Sequence, residues 1–210
     1  MKIIEQTKQN VPVLQADGFV EAGGVAHGFS TRQGGVSQGM WASLNLGVSR
    51  GDDPDHVREN YRRFQAAIGA EGHVMAASNQ VHGAVVRNLT TADLKDDPYG
   101  KTGYEADGLM TAIPGVILTV FSADCIPVLL YDPRRRVIAA LHAGWRGTAA
   151  GIVTVAVGQM ASVYGSDPAD ILAAIGPGIG QCCFETHEDV PNAMTAAMAG
   201  GVLPFIQLKD

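Results

Sequence analysis

The stretch at residues 126–143, "IPVLLYDPRRRVIAALHA", constrains the fold more than any other part of the chain. Two apolar runs, 126–131 and 136–141, flank the tetrapeptide "DPRR". Pro133 suits the second position of a type I turn and Asp132 the first, so the runs read as an antiparallel hairpin. If Asp132 and Arg135 close the turn, Tyr131 faces Arg136 and Cys125 faces His142. Directly opposed residues have Cβ atoms about 4.5–5.5 Å apart, which lets a thiolate and an imidazole share one metal ion or one proton. Two bland readings stand beside this one. A free cysteine often merely packs, and a bulge would slip the register and turn the pair apart.

The rest of the chain alternates short strands, helices and glycine-rich loops. Residues 11–30 read as one or two strands. The segment "AHGFSTRQGGVSQGMWASLNLG" is a long structured loop, of the kind that is uncommon in compact domains unless it has a task. "DDPDHVRENYRRFQAAIG" predicts a helix, with acidic residues opening it, a Val57, Tyr61, Phe64, Ile68 stripe, and Gly69 closing it. "MAASNQVHGAVVRNL" is a strand candidate interrupted at Gly83, "DLKDDPYGKTGYEADG" is a polar loop, and 109–120 holds two short strands around Pro114-Gly115. An uncharged helix begins at about Thr148, its N-cap candidate, with Ile152, Val155, Gln159 and Val163 on one face. "DILAAIGPGIGQCCFE" runs from a strand into a glycine-rich turn, and a short helical pattern starts at 186. This mixture predicts an α+β fold, with layered mixed β-sheets flanked by helices and a single domain over 1–210.

Composition excludes several classes of function. With 46% apolar and 17% charged residues, the chain is an ordinary globular protein, not a disordered one. A net charge of −6 argues against a nucleic-acid surface, and "DPRRR" is a solvated turn. The N-terminal residues contain no apolar export signal, and three cysteines, two of them adjacent, do not make a disulfide framework; a cytoplasmic location with reduced thiols is the expectation. The segment 147–166 is long enough to span a bilayer, but its Gly, Ser, Thr and Gln make it a buried helix, and no membrane contact is expected.

The chemistry centres on three residues. His82, in "NQVHG", joins Cys125 and His142 to give two nitrogens and one sulfur, the ligand number of catalytic zinc with an open fourth position. Such an ion lowers the pKa of its water to about 7. The chain has no CxxC or HExxH, so zinc follows from placement and not from a spacing signature. The rival uses the same pair without metal, with Cys125 as nucleophile and His142 as its base. A non-catalytic binding module is a third reading. Arg146, in "HAGWRG", has glycines on both sides and the following helix nearby, which together make an anion site; Arg32 and Asn45 in the long loop add donors. The bland alternative for Arg146 is packing on Trp145. Asp124 and Glu185 are candidates for a general acid.

The segments "STRQGGVSQGMWASLNLG", "GDDPDHVREN", "NQVHG", "EADGLMT", "SADCIPVLLYDP", "HAGWRGTAAGI" and "IGPGIGQCCFE" occur in this order, and in them the chain resembles the YfiH/YlmD family, also called the polyphenol oxidoreductase or laccase-domain family. The resemblance implies zinc held by His82, Cys125 and His142. It also implies purine nucleoside phosphorylase activity, with adenosine deaminase and methylthioadenosine phosphorylase activity, acting on a small nucleoside and phosphate. Arg32, Asn45 and Arg146 match motif positions near that site. Two departures stand out. The family's "CCYEV" is "CCFET" here, which keeps Glu185, and family members continue beyond the position of "QLKD" through a further helix, so a missing tail is expected. A multicopper oxidase would need many histidines in His-x-His pairs, whereas this chain has six histidines and none so paired. Cu²⁺ is the substitute that a single N/S site would also accept.

Overall fold

Residues 1–48, 50–94 and 103–198 are described by the computed structural model of the chain. Its strands are β1 (Ile3–Lys8), β2 (Val11–Ala16), β3 (Phe29–Ser30), β4 (Val74–Ala76), β5 (Val86–Asn88), β6 (Gly108–Thr111), β7 (Val116–Leu118), β8 (Ile126–Asp132), β9 (Val137–Ala143) and β10 (Leu172–Ile175). Its helices are α1 (Asp17–Ala22), α2 (Pro54–Ile68), α3 (Trp145–Ala149), α4 (Ile152–Tyr164) and α5 (Asp189–Ala197). The predicted α+β class is what these elements build.

The 126–143 hairpin forms the middle of a five-stranded sheet, ordered β10-β8-β9-β6-β5, in which only β5 and β6 run parallel. Its apolar runs are uninterrupted because both faces are covered. On one face Val128, Leu130, Val137, Ala139 and Leu141 pack against Ile152, Ala156 and Met160 of α4. On the other, Leu129, Tyr131 and Ile138 meet Phe19 and Phe29, which belong to α1 and to the antiparallel β1-β2-β3 sheet. Removing each large side chain of this kind from water is worth about 1.5–3 kcal/mol. A separate parallel pair, β4 and β7, leads into the loops that carry the site.

Helix α2 has the ends its sequence predicts. Asp53 caps it by accepting from the Asp55 backbone N–H at 2.8 Å, Pro54 opens the first turn, and Gly69 ends it with a left-handed φ of 75°. Val57 and Tyr61 from the expected stripe are buried, and Phe64 and Ile68 are partly so.

Three expectations are corrected. The hairpin closes between Asp132 and Val137, so Pro127 faces His142, two residues from the predicted register. The cause lies in the turn. Asp132 Oδ1 accepts from the backbone N–H groups of Arg134 and Arg135, and Arg136 takes a left-handed φ of 56°, which lengthens the loop. A two-residue shift preserves the faces of the strand, where a one-residue shift would exchange them. Second, Thr148 is no N-cap. It lies inside α3, and Gly151, with φ 74°, separates α3 from α4. Third, the buried face of α4 is Ile152, Ala156 and Met160, while Val163 is 52% exposed. Among the described residues no helix is long and apolar enough to cross a membrane. Part of the polar loop ending in "EADG" and the C-terminal "QLKD" lie outside the described residues.

Candidate metal centre

Three loops or strand ends converge on one point. Cys125 is the last residue before β8, and His142 is the penultimate residue of β9, so the hairpin brings them together diagonally and not face to face. His82 enters from the loop between β4 and β5. The ligand atoms of His82, Cys125 and His142 all lie within 4.8 Å of one another. The two imidazole rings meet edge to face, with centroids 4.9 Å apart. His142 is buried, Cys125 half-buried and His82 exposed, so the cluster opens to solvent on the His82 side.

The residue that organises this cluster is Asp107. Its carboxylate is fully buried at the start of β6. Oδ1 accepts from the His82 backbone N–H at 2.9 Å and lies 2.8 Å from His142 Nδ1. Oδ2 accepts from the backbone N–H groups of Gly83 at 2.7 Å and Val81 at 3.2 Å. His82 has a left-handed φ of 62°, unusual for a residue with a side chain, and this turns three successive N–H groups onto one carboxylate. Burial works to raise the Asp107 carboxyl, but His142 and the three N–H groups outweigh it and hold it below the ordinary carboxylate value. An ionised Asp107 accepts a hydrogen bond from His142 Nδ1–H, which keeps the proton on Nδ1 and leaves Nε2 with its lone pair for a metal.

Packing around the ligands is tight. A Cβ on Gly144 would lie 3.0 Å from Cys125 Sγ, 3.2 Å from His82 Cδ2 and 3.8 Å from His142 Cε1. A Cβ on Gly147 would meet the Gly83 carbonyl oxygen at 2.6 Å, so the glycines of "HAGWRG" let α3 lie against the His82 loop. Burial raises the Cys125 thiol, and the charges of Asp124 and Asp107 raise it further. Two imidazoles, one thiolate and a carboxylate behind one imidazole form a donor set suited to zinc.

The other anticipated residues are placed less centrally. Arg32 and Asn45 line the same groove as the trio. Arg32 Nη2 donates to the Ala42 carbonyl at 3.1 Å. Asn45 is built into its own loop, donating to Asp52 Oδ2 at 2.9 Å and accepting from the Gly47 N–H at 3.0 Å. Arg146 is exposed, with its guanidinium 4.1 Å from the centroid of Trp145, and neither it nor the exposed Glu185 lines that groove. Asp124 is exposed, and its carbonyl accepts from the Ile179 N–H at 2.9 Å. Asp107 is the functional residue that sequence reasoning misses, although it stands in the motif "EADG". The available signal is an acid opening an apolar strand, and nothing in the spacing ties it to a histidine 35 residues away.

A mixed α+β scaffold presenting an open Cys/His/His cluster defines a class of protein equipped to hold a metal ion. Comparisons narrow the class. Residues 26–207 match the family described as multi-copper polyphenol oxidoreductase laccase. A Deinococcus radiodurans protein named purine nucleoside phosphorylase is 42% identical over 194 residues, which are 92% of this chain and 71% of that protein. The Escherichia coli purine nucleoside phosphorylase YfiH is 41% identical over 187 residues, covering 89% of this chain and 72% of its own length. Among solved structures, YlmD from Geobacillus stearothermophilus superimposes with a TM-score of 0.81 at 32% identity, over all of this chain and 74% of that one. The chain belongs to the YfiH/YlmD family.

Proposed function

We propose that the protein is a zinc-dependent purine nucleoside enzyme, one that phosphorolyses adenosine, inosine, guanosine and methylthioadenosine and also deaminates adenosine. The observation that carries the proposal is the convergence of His82, Cys125 and His142 within 4.8 Å, with Asp107 behind His142. Relatives bearing the name purine nucleoside phosphorylase, at 41–42% identity, support the substrate class. Zinc held by His82, Cys125 and His142 would supply Lewis acidity at the site. The chain's own residues bind and orient. Asp107 holds His142 in one tautomer, and Gly144 leaves room for the three ligands. Arg32 and Asn45, on the wall of the same groove, are assigned to nucleoside or phosphate contact, and the family motif positions of Arg146 and Glu185 assign these two to the same role. In phosphorolysis a phosphate oxygen displaces the base at ribose C1′, so a guanidinium that neutralises phosphate suits the reaction. The expected location is cytoplasmic.

Two alternatives fit less well. A metal-free cysteine hydrolase needs a thiolate, whereas burial, Asp124 and Asp107 all push the Cys125 thiol up. A four-copper oxidase needs several ligand clusters, and His82, Cys125 and His142 are the single candidate group among the described residues.

The test is metal content per chain by mass spectrometry, with phosphate-dependent turnover of adenosine in the same samples, for wild type and His82→Ala. About one zinc per chain, lost with turnover in His82→Ala, is expected. A metal-free wild type that keeps a reactive Cys125 thiol would overturn the zinc reading and favour the cysteine hydrolase.

A further inference from the structure

The loops carrying His82 and Cys125 leave the two-stranded sheet side by side. Ala76 at the end of β4 is opposite Leu118 at the end of β7, and the Thr119 N–H donates to the Ala76 carbonyl at 2.9 Å. Beyond that rung, no backbone–backbone hydrogen bond joins residues 77–83 to residues 120–125 among the described residues. What joins them is the side chain of Gln80. Its Nε2 donates to the Phe121 carbonyl at 2.7 Å, and its Oε1 accepts from the Phe121 N–H at 2.7 Å. A primary amide carries the same donor and acceptor as a peptide group. Gln80 therefore continues the ladder where the backbones have parted, and the reciprocal pairing admits only one orientation of the amide.

The position of this rung gives it its significance. Gln80 lies two residues before His82, and Phe121 four residues before Cys125. Asp107 ties the His82 loop to His142, but neither of its oxygens touches the Cys125 loop. Cys125 is connected to His142 by the hairpin and to His82 by Gln80. We propose that Gln80 is a positioning residue of the metal centre, its amide splinting the His82 loop to the Cys125 loop and so setting the separation of these two ligands. The inference rests on the zinc reading above.

The experiment compares wild type, Gln80→Met and His82→Ala, each loaded with Zn²⁺ and, separately, with Co²⁺. Methionine nearly conserves volume and removes both hydrogen bonds. Expected results are one bound metal in wild type with a thiolate-to-cobalt charge-transfer band, and little binding in His82→Ala. Gln80→Met should bind zinc about 10–100-fold more weakly, the range for groups that orient metal ligands, with a displaced charge-transfer band and an unchanged far-UV spectrum. Equal affinity and an identical cobalt spectrum in Gln80→Met would overturn the splint and leave the metal centre standing. A wild type that takes up neither metal would overturn the zinc reading itself, and the splint with it. If Gln80→Met does not fold, amide exchange in wild type decides the matter. Zinc should slow exchange of the Phe121 N–H, because a rung that favours the metal is favoured by it in return. A Phe121 rate that zinc leaves unaltered would overturn the proposal.

Discussion

Asp107 Oδ1 lies 2.8 Å from His142 Nδ1, and this contact decides which nitrogen of His142 is available at the centre of the cluster. The same carboxylate holds the backbone of residues 81–83, so one buried acid fixes two of the three ligands.

Asp107→Asn tests this directly. The amide keeps one oxygen for the Val81 and Gly83 N–H groups and turns its NH₂ toward His142 Nδ1, forcing the proton to Nε2 and leaving the His82 N–H without its acceptor. Zinc affinity should fall about 10–100-fold. ¹⁵N NMR of the His142 ring in the zinc-free protein should report the opposite tautomer. An unchanged tautomer with undiminished affinity would refute the role.

Gly144→Ala tests the packing. The backbone at 144, with φ −64° and ψ 166°, accepts alanine without strain, so the effect is steric only. The new methyl would sit 3.0 Å from Cys125 Sγ. Overpacking of this kind costs about 1–3 kcal/mol, equivalent to about a 5–150-fold loss of zinc affinity when it falls on the ligands. Competition with a chelator measures it, and the unfolding midpoint of the zinc-free protein should move little.

Asn60→Ala should release the long loop. Asn60 is fully buried on α2, accepts from the Val36 N–H at 2.8 Å, and donates to Ser37 Oγ at 2.8 Å and to the Asn45 carbonyl at 2.9 Å. Leaving these groups unpaired should cost about 2–4 kcal/mol in urea unfolding. A change within about 0.5 kcal/mol, the range of ordinary surface substitutions, would show that the loop is held otherwise.

His27 should make stability depend on pH. Its ring is buried against Phe19, with centroids 4.9 Å apart, and Nε2 accepts from the Ala16 N–H at 2.9 Å. Burial lowers its pKa below 6.5, so the folded protein holds the neutral ring. Stability is then complete above the unfolded value of about 6.5 and declines as pH falls toward the lower native value, because only the unfolded chain binds the proton there. Urea unfolding at several pH values between about 5 and 8 should show this slope, and His27→Gln should flatten it. Equal slopes in the two proteins would remove His27 from the account.

Features set by neighbours along the chain are legible in the amino-acid sequence by itself. The Asp53-Pro54 start and Gly69 end of α2, the hairpin strands, and the residue types of the trio all follow from local chemistry, which acts over a few residues. Tertiary structure decided the rest. The register of the hairpin turned on two hydrogen bonds to Asp132 and the left-handed turn at Arg136, a difference too small for pattern alone to specify. Helix α3 begins at Trp145 and ends before Gly151, where the sequence pattern starts a helix at Thr148, and within it the Arg146 guanidinium stacks on Trp145. Asp107 and Gln80 each act across loops distant in sequence, through contacts separated by 35 and 41 residues. A hydrogen bond depends on distance and angle in space, and no periodicity along the chain records that geometry.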